Sequence, residues 1–220
     1  MGSSSASTRL IVIPGVSGIE SKVKGRMLMI LRLSGWFVAL GVATGIAAPA
    51  AQAADAFTAD PVHSAVVFRV KHMNTSNAWG RFNDISGGFV LNEADPSQSQ
   101  LEFQVKAASV DTGNAKRDQH LKGPDFFNAV QFPIIQFKSK SVTKASDGYD
   151  VSGDLTLHGQ TRPIQIKVVP TGSAKGPTGV PIAGIDASFF VKQSQFGMTK
   201  MAGAIGDDVW VNVSIEGIKK

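Results

Sequence analysis

From about residue 60 to the C-terminus the chain alternates apolar and polar side chains with a period of two, and that pattern leaves few folds open. In Leu101-Glu-Phe-Gln-Val-Lys-Ala107 the residues Leu101, Phe103, Val105 and Ala107 share one face, and Glu102, Gln104 and Lys106 share the other. The same split separates Ile135 and Phe137 from Gln136 and Lys138, and Ile164, Ile166 and Val168 from Gln165 and Lys167. It recurs in Val209, Val211, Val213 and Ile215 against Asn212, Ser214 and Glu216. Further strands are expected at Ala65–Lys71, Trp79–Phe82, Gly87–Leu91, Tyr149–Leu157 and Ile182–Lys192. Turn chemistry separates them at Asn92–Ser97, Ser146–Gly148, His158-Gly159 and the Gly/Pro-rich Thr171–Pro181. His158-Gly159 suits a tight hairpin, since histidine tolerates a positive φ better than most residues. Helix fits only around Asn114–Leu121 and Asp125–Ala129. The class is therefore all-β: about eight antiparallel strands, forming either a sandwich or a closed barrel. A barrel of that size encloses side chains or one small ligand.

The N-terminal part reads differently. Leu33–Ala54 carries no charge, follows Lys22, Lys24, Arg26 and Arg32, and runs into Ala51-Gln52-Ala53. That arrangement predicts a secretory signal peptide over residues 27–53, with an uncleaved membrane anchor as the alternative. Residues 1–26 show no periodicity and read as an unstructured extension or a misassigned start, leaving 54–220 as the folded domain. Cleavage after Ala53 would leave 167 of the 220 residues and remove Arg9, Lys22, Lys24, Arg26, Arg32 and Glu20, so the net charge falls from +5 to about +1. A nearly neutral domain with no basic stripe gives no support to nucleic-acid binding. The expected location is periplasmic or secreted. The chain has no cysteine, so disulfides, thiol chemistry and cysteinyl metal sites are excluded.

Between two of the alternating strands lies Ser109–Asn128, too long for a hairpin turn and ending in Phe126-Phe127. A segment of this kind covers an open barrel end or lines a site. Within it, Arg117-Asp118-x-His120 could be an acid/base set, but no activated nucleophile stands beside it. Arg117 and Asp118 are expected instead to pair with neighbours and hold the segment, and Asp111-Thr112 to form a turn. Of the four histidines, His63 and His72 would face opposite sides of one unbroken strand, and His158 belongs to a turn. His72 and His120 remain as site candidates, short of the three or four ligands that a zinc or copper ion needs. No metal and no catalytic residue is expected.

Several of these residues, in order, carry a resemblance: Asp60–Met73, Gly80-Arg-Phe82, Ser109–Thr112, Arg117–Leu121, Asp125-Phe-Phe127, Phe132-Pro133, Gly153–Thr156, His158-Gly159 and Phe196-Gly197. Together they resemble the YceI-like family of periplasmic proteins. The resemblance implies a lipocalin-like antiparallel barrel with a short helical cover and a long apolar channel. It implies binding of a polyisoprenoid or similar long-chain amphiphile, such as an isoprenoid quinone, with no cofactor and no enzymatic mechanism. Transient membrane contact and a homodimer are compatible with it. The candidate channel wall is Phe68, Val70, Phe82, Phe103 and Phe137, closed by Leu121, Phe126, Phe127, Phe196 and Met198 from the loops. His72, Asn114, Arg117, Asp118 and His120 would orient a polar head. One departure stands out: Gln193 and Gln195 occupy positions where the family pattern carries charges. Three rivals are a ligand-free barrel serving as an interaction module or stress-related periplasmic protein, an enzyme on an apolar substrate, and a metal binder joining His72 to His120.

Overall fold

The computed structural model describes residues 54–220; the expected signal peptide and N-terminal extension lie outside them. The strands follow one another around a wall that closes on itself through the pairing of the first and last strands. β1 (Ala56–Ala59) and β2 (Ala65–His72) lie end to end along one partner, the strand Ile205–Lys219. β3 (Ser76–Phe82) and β4 (Ile85–Val90) form the two halves of the next strand, paired with β2 and β1 respectively. β5 (Gln100–Lys106) and β6 (Val110–Asp111) form the third, against β4 and β3. β7 (Ile134–Ala145), β8 (Gly148–Leu157), β9 (Gln160–Lys175) and β10 (Pro181–Lys192) continue the meander, and β11 (Ile205–Lys219) closes it. Eight antiparallel strands, three of them broken, thus make a barrel, and the sandwich alternative falls.

The breaks sit side by side, and side chains there stand in for missing ladder bonds. The amide of Asp84 donates to Ser109 Oγ at 3.1 Å, and the amide of Glu216 donates to Ser64 Oγ at 3.1 Å. Among the described residues no buried side-chain polar atom lacks a partner.

Three details differ from the sequence reading. β1 and β6 were not expected, because four and two residues are too few to display alternation. Thr171–Pro181 is not one turn: β9 continues to Lys175, and a bulge opposite Gly184 and Ile185, with Gly172 at φ 140°, absorbs the glycine. Asp125–Ala129 is not helical. Its amides turn back onto the preceding helix, Phe127 donating to the Leu121 carbonyl and Ala129 to that of Lys122, with Asn128 at φ 46°. That helix, α1 (Ala115–Lys122), lies where helix was expected. The expected hairpin also forms, with His158 and Gly159 at φ 51° and 71°. A Cβ on Gly159 would strike the ring of Phe132, so glycine is required there on two counts.

The barrel's two ends are unlike. At the base, Phe57 stacks on Phe89 with centroids 5.2 Å apart, and Tyr149, Val142 and Val151 are fully buried. Each such side chain contributes roughly 1.5–3 kcal/mol on burial. The other end is crossed by the β2–β3 turn, α1 with its following loop, the His158 hairpin and the β10–β11 loop.

Beside the first break, His63 Nδ1 lies 2.7 Å from Asp60 Oδ2 and 3.6 Å from Glu216 Oε1, tying the β1–β2 turn to β11. The hydrogen bond to Asp60 holds the imidazole above its ordinary pKa, and the same bond holds the Asp60 carboxyl below its own. A raised imidazole contributes fully below the unfolded histidine value and loses its share as pH climbs through the raised one. A lowered carboxyl contributes above the unfolded aspartate value and loses its share as pH falls through the lowered one. The tether is therefore complete in mildly acidic solution. An NMR titration should place His63 above ordinary histidine in the native protein and lower in Asp60→Asn; an unshifted His63 would remove the tether.

Candidate ligand-binding site

The inward positions of the strands do not fill the barrel. They enclose a cavity of about 520 Å³ reaching from the crossed end to Leu101, Ile185 and Ile215 near the base. The walls are apolar: Phe68 and Val70 of β2, Phe82 of β3, Phe103 of β5 and Phe137 of β7 all line it, as their alternation predicts. Polar lining is concentrated at the mouth, in His72, Ser76, Asn77, Thr112, Arg117, His120 and Gln193. Gln104 and Asp186, the other polar lining residues, occupy outward register positions on β5 and β10.

The mouth is built by the segment between β6 and β7. Asn114 caps α1, its Oδ1 accepting from the Arg117 amide at 3.0 Å. Thr112 is then gripped from both sides. Its amide donates to Asp118 Oδ1 at 2.9 Å, while Arg117 donates from Nε to the Thr112 hydroxyl at 2.8 Å and from its terminal nitrogen to the Thr112 carbonyl at 2.9 Å. The Asp111 carboxyl, held below its ordinary range chiefly by the Gly113 amide, fixes the turn before it. So anchored, α1 and its loop turn Leu121, Phe126 and Phe127 toward the cavity. Phe127 packs edge-on against Phe82 and Phe68, at 5.4 and 6.5 Å between centroids, and Phe126 meets His120 at 5.1 Å. His120 Nε2 lies 3.3 Å from Asp125, whose other oxygen is 3.9 Å from Lys200 of the β10–β11 loop.

Three of the fifteen candidates stand outside the cavity lining. Asn114 and Asp118 spend their side chains on the backbone and hydroxyl of their own segment. Phe196 is 1% exposed and packs with Leu155, Leu157, Val191 and Met198 beneath the His158 hairpin. Met198, two residues on, does line the cavity, as do His72, Arg117, His120, Leu121, Phe126 and Phe127. The sequence reading passed over Val105, Ile166, Val168, Ala187, Val211 and Val213, which it would have placed in the core; they line the void as well. Their inward register was visible, but whether inward side chains meet or leave a gap depends on barrel diameter. At the two positions that depart from the family pattern, Gln193 Nε2 donates to the Gly206 carbonyl at 2.7 Å, and the backbone carbonyl of Gln195 accepts from Arg162 at 3.1 Å.

Among the described residues the one grouping with metal-ligating potential is Asp60, His63 and Glu216, which includes neither His72 nor His120. No helix among them is long and apolar enough to cross a membrane.

The family model described as YceI-like domain matches residues 57–217. A UPF0312 protein of Yersinia pestis (strain Pestoides F) is 36% identical over 157 residues, covering 71% of this chain and 82% of that protein. The crystal structure of Burkholderia cenocepacia BcnA superposes with a TM-score of 0.65 at 21% identity, covering 72% of this chain and 98% of the other. A polyisoprenoid binding domain from Saccharophagus degradans, implicated in plant cell wall breakdown, superposes at 0.56 with 17% identity, covering 77% and 100%. At those identities the two structures share the fold.

Proposed function

The chain belongs to the YceI-like family, and from that membership and the channel we propose that it binds a long-chain amphiphilic lipid of the polyisoprenoid type. The observation that carries this reading is the division of the cavity into apolar walls and a polar mouth. A sugar ligand would need polar partners along its length. A prenyl chain needs them at one end only. Each five-carbon unit taken from water is worth roughly 3–4 kcal/mol gross at about 0.8 kcal/mol per methylene, against an association cost that scarcely grows with length. The tail therefore sets affinity, and His72, Arg117 and His120 orient the head, an isoprenoid quinone or alcohol fitting equally. A structural neighbour named for polyisoprenoid binding supports the same reading.

The role is carriage or sequestration rather than catalysis. Asp118 accepts from both the amide and the hydroxyl of Thr112, and Arg117 donates to that hydroxyl and to the Thr112 carbonyl, which supports reading the pair as an anchor of the segment and not as an acid/base set. The leader-like character of residues 27–53 supports action in the periplasm or outside the cell.

Binding should be measured along a ladder of prenyl compounds sharing one head group, at low and high salt. Affinity should climb with each added unit until the channel is full and change little with salt. Flat affinity along the ladder, or binding abolished by salt, would overturn the reading.

A further inference from the structure

The outer wall carries a row of side chains of which only Trp79, at the mouth, also borders the channel. Phe190 of β10, Trp210 of β11, Arg69 of β2 and Trp79 of β3 are consecutive register partners, so they form one transverse row across four strands. Phe190 is 60% exposed and Trp79 52%, and the Arg69 guanidinium lies 4.5 Å from the Trp210 ring centroid and 5.9 Å from that of Trp79. The row continues to the mouth. On the same face of β2, Lys71 follows Arg69, and beyond it Met73 is 58% exposed in the β2–β3 turn, where its amide donates to Ala204 of the loop bearing exposed Met201.

Neither Arg69 nor Lys71 has a carboxylate within ion-pair distance among the described residues. The acids across the wall are engaged elsewhere: Asp208 with Lys192, and Asp207 with the amide and hydroxyl of Ser194. An arginine set between exposed Trp79 and half-buried Trp210 suits the boundary between headgroups and acyl chains, where aromatic rings are buried and the cation stays wet. Two copies meeting on this face about a two-fold axis would bring Arg69 and Lys71 toward their own like charges, whereas anionic headgroups complement them.

We infer that this row and the adjoining rim form a docking surface for an anionic lipid bilayer, holding the channel mouth at the membrane. The inference deepens the proposed function by naming the surface at which the channel would be loaded or emptied.

The test is flotation of the protein with vesicles of phosphatidylcholine alone and of phosphatidylcholine and phosphatidylglycerol in equal parts. The protein should float with the anionic vesicles, and added salt should release it. Arg69→Glu with Lys71→Glu should weaken that partition by about ten-fold or more, and Phe190→Ser by about three-fold or more. None of these three side chains lines the cavity, so binding of a short prenyl compound in solution should hold within about two-fold. Indifference of flotation to the charge reversal, or no flotation by a protein that still binds the prenyl probe, would overturn the docking surface and leave the channel reading standing. A dimer in solution that Phe190→Ser splits would assign the face to a second copy instead. Flotation without prenyl binding would spare the surface and sink the channel reading.

Discussion

Ala187→Trp is expected to lower affinity for a long prenyl ligand by about a hundred-fold or more while leaving the protein folded. Ala187 lies midway along β10, its Cα partners being Val213 on β11 and Val168 on β9, and all three line the cavity. An indole there would project into empty space rather than into packed neighbours, so the usual penalty for overfilling a core is largely avoided. The channel would be shortened from the middle. Losing contact with even two isoprenoid units removes roughly 6–8 kcal/mol of gross burial, and the expected loss survives a heavy discount for a tail that folds back. A binding isotherm and a thermal melt on the same sample check this. Undiminished affinity in a folded variant would place the ligand elsewhere than in the barrel.

Phe196→Ala should do the reverse. The ring is 1% exposed and stands outside the cavity, packed behind the lining residues Leu155, Leu157, Val191 and Met198, so its loss should destabilise the fold by about 3–5 kcal/mol. Prenyl affinity measured well below the melting temperature should stay within about three-fold. Chemical denaturation gives the first quantity, titration the second. A variant with normal stability and poor binding would return Phe196 to the ligand wall.

The contrast between these two residues shows how far the sequence could be read. Period-two alternation identified Phe103, Phe137 and the odd-numbered positions of Val209–Ile215 as inward, and inward they are, because one face of every strand had to leave water. It could not say that the void lies beside Ala187 and not beside Tyr149, because both positions read as apolar and inward. Barrel closure decides it, through the pairing of β1 with both β4 and β11, and no local pattern encodes a contact between residues 57 and 219. In the covering segment, the residue types of Asn114, Arg117 and Asp118 suited a binding site and a lid anchor equally. The positions of two acceptors on Thr112 and of the helix cap settled it: two of the three serve the anchor alone, and Arg117 serves it while lining the mouth.

One feature of the wall gives the lid a second duty. β6 has a single strand neighbour, β3, and β7 begins only at Ile134, opposite Lys106, so above that level the ring is open between β6 and β7. Closure is complete at the base alone. A sheet edge next to an apolar hollow is a template for strand addition from another molecule, the hazard that fully closed barrels avoid. Here α1 and the chain that follows it occupy that opening, and Arg117 and Asp118 tie the helix to Thr112 directly after the exposed edge. The residues that hold the cover over the channel therefore also shield the seam at which a foreign strand could add.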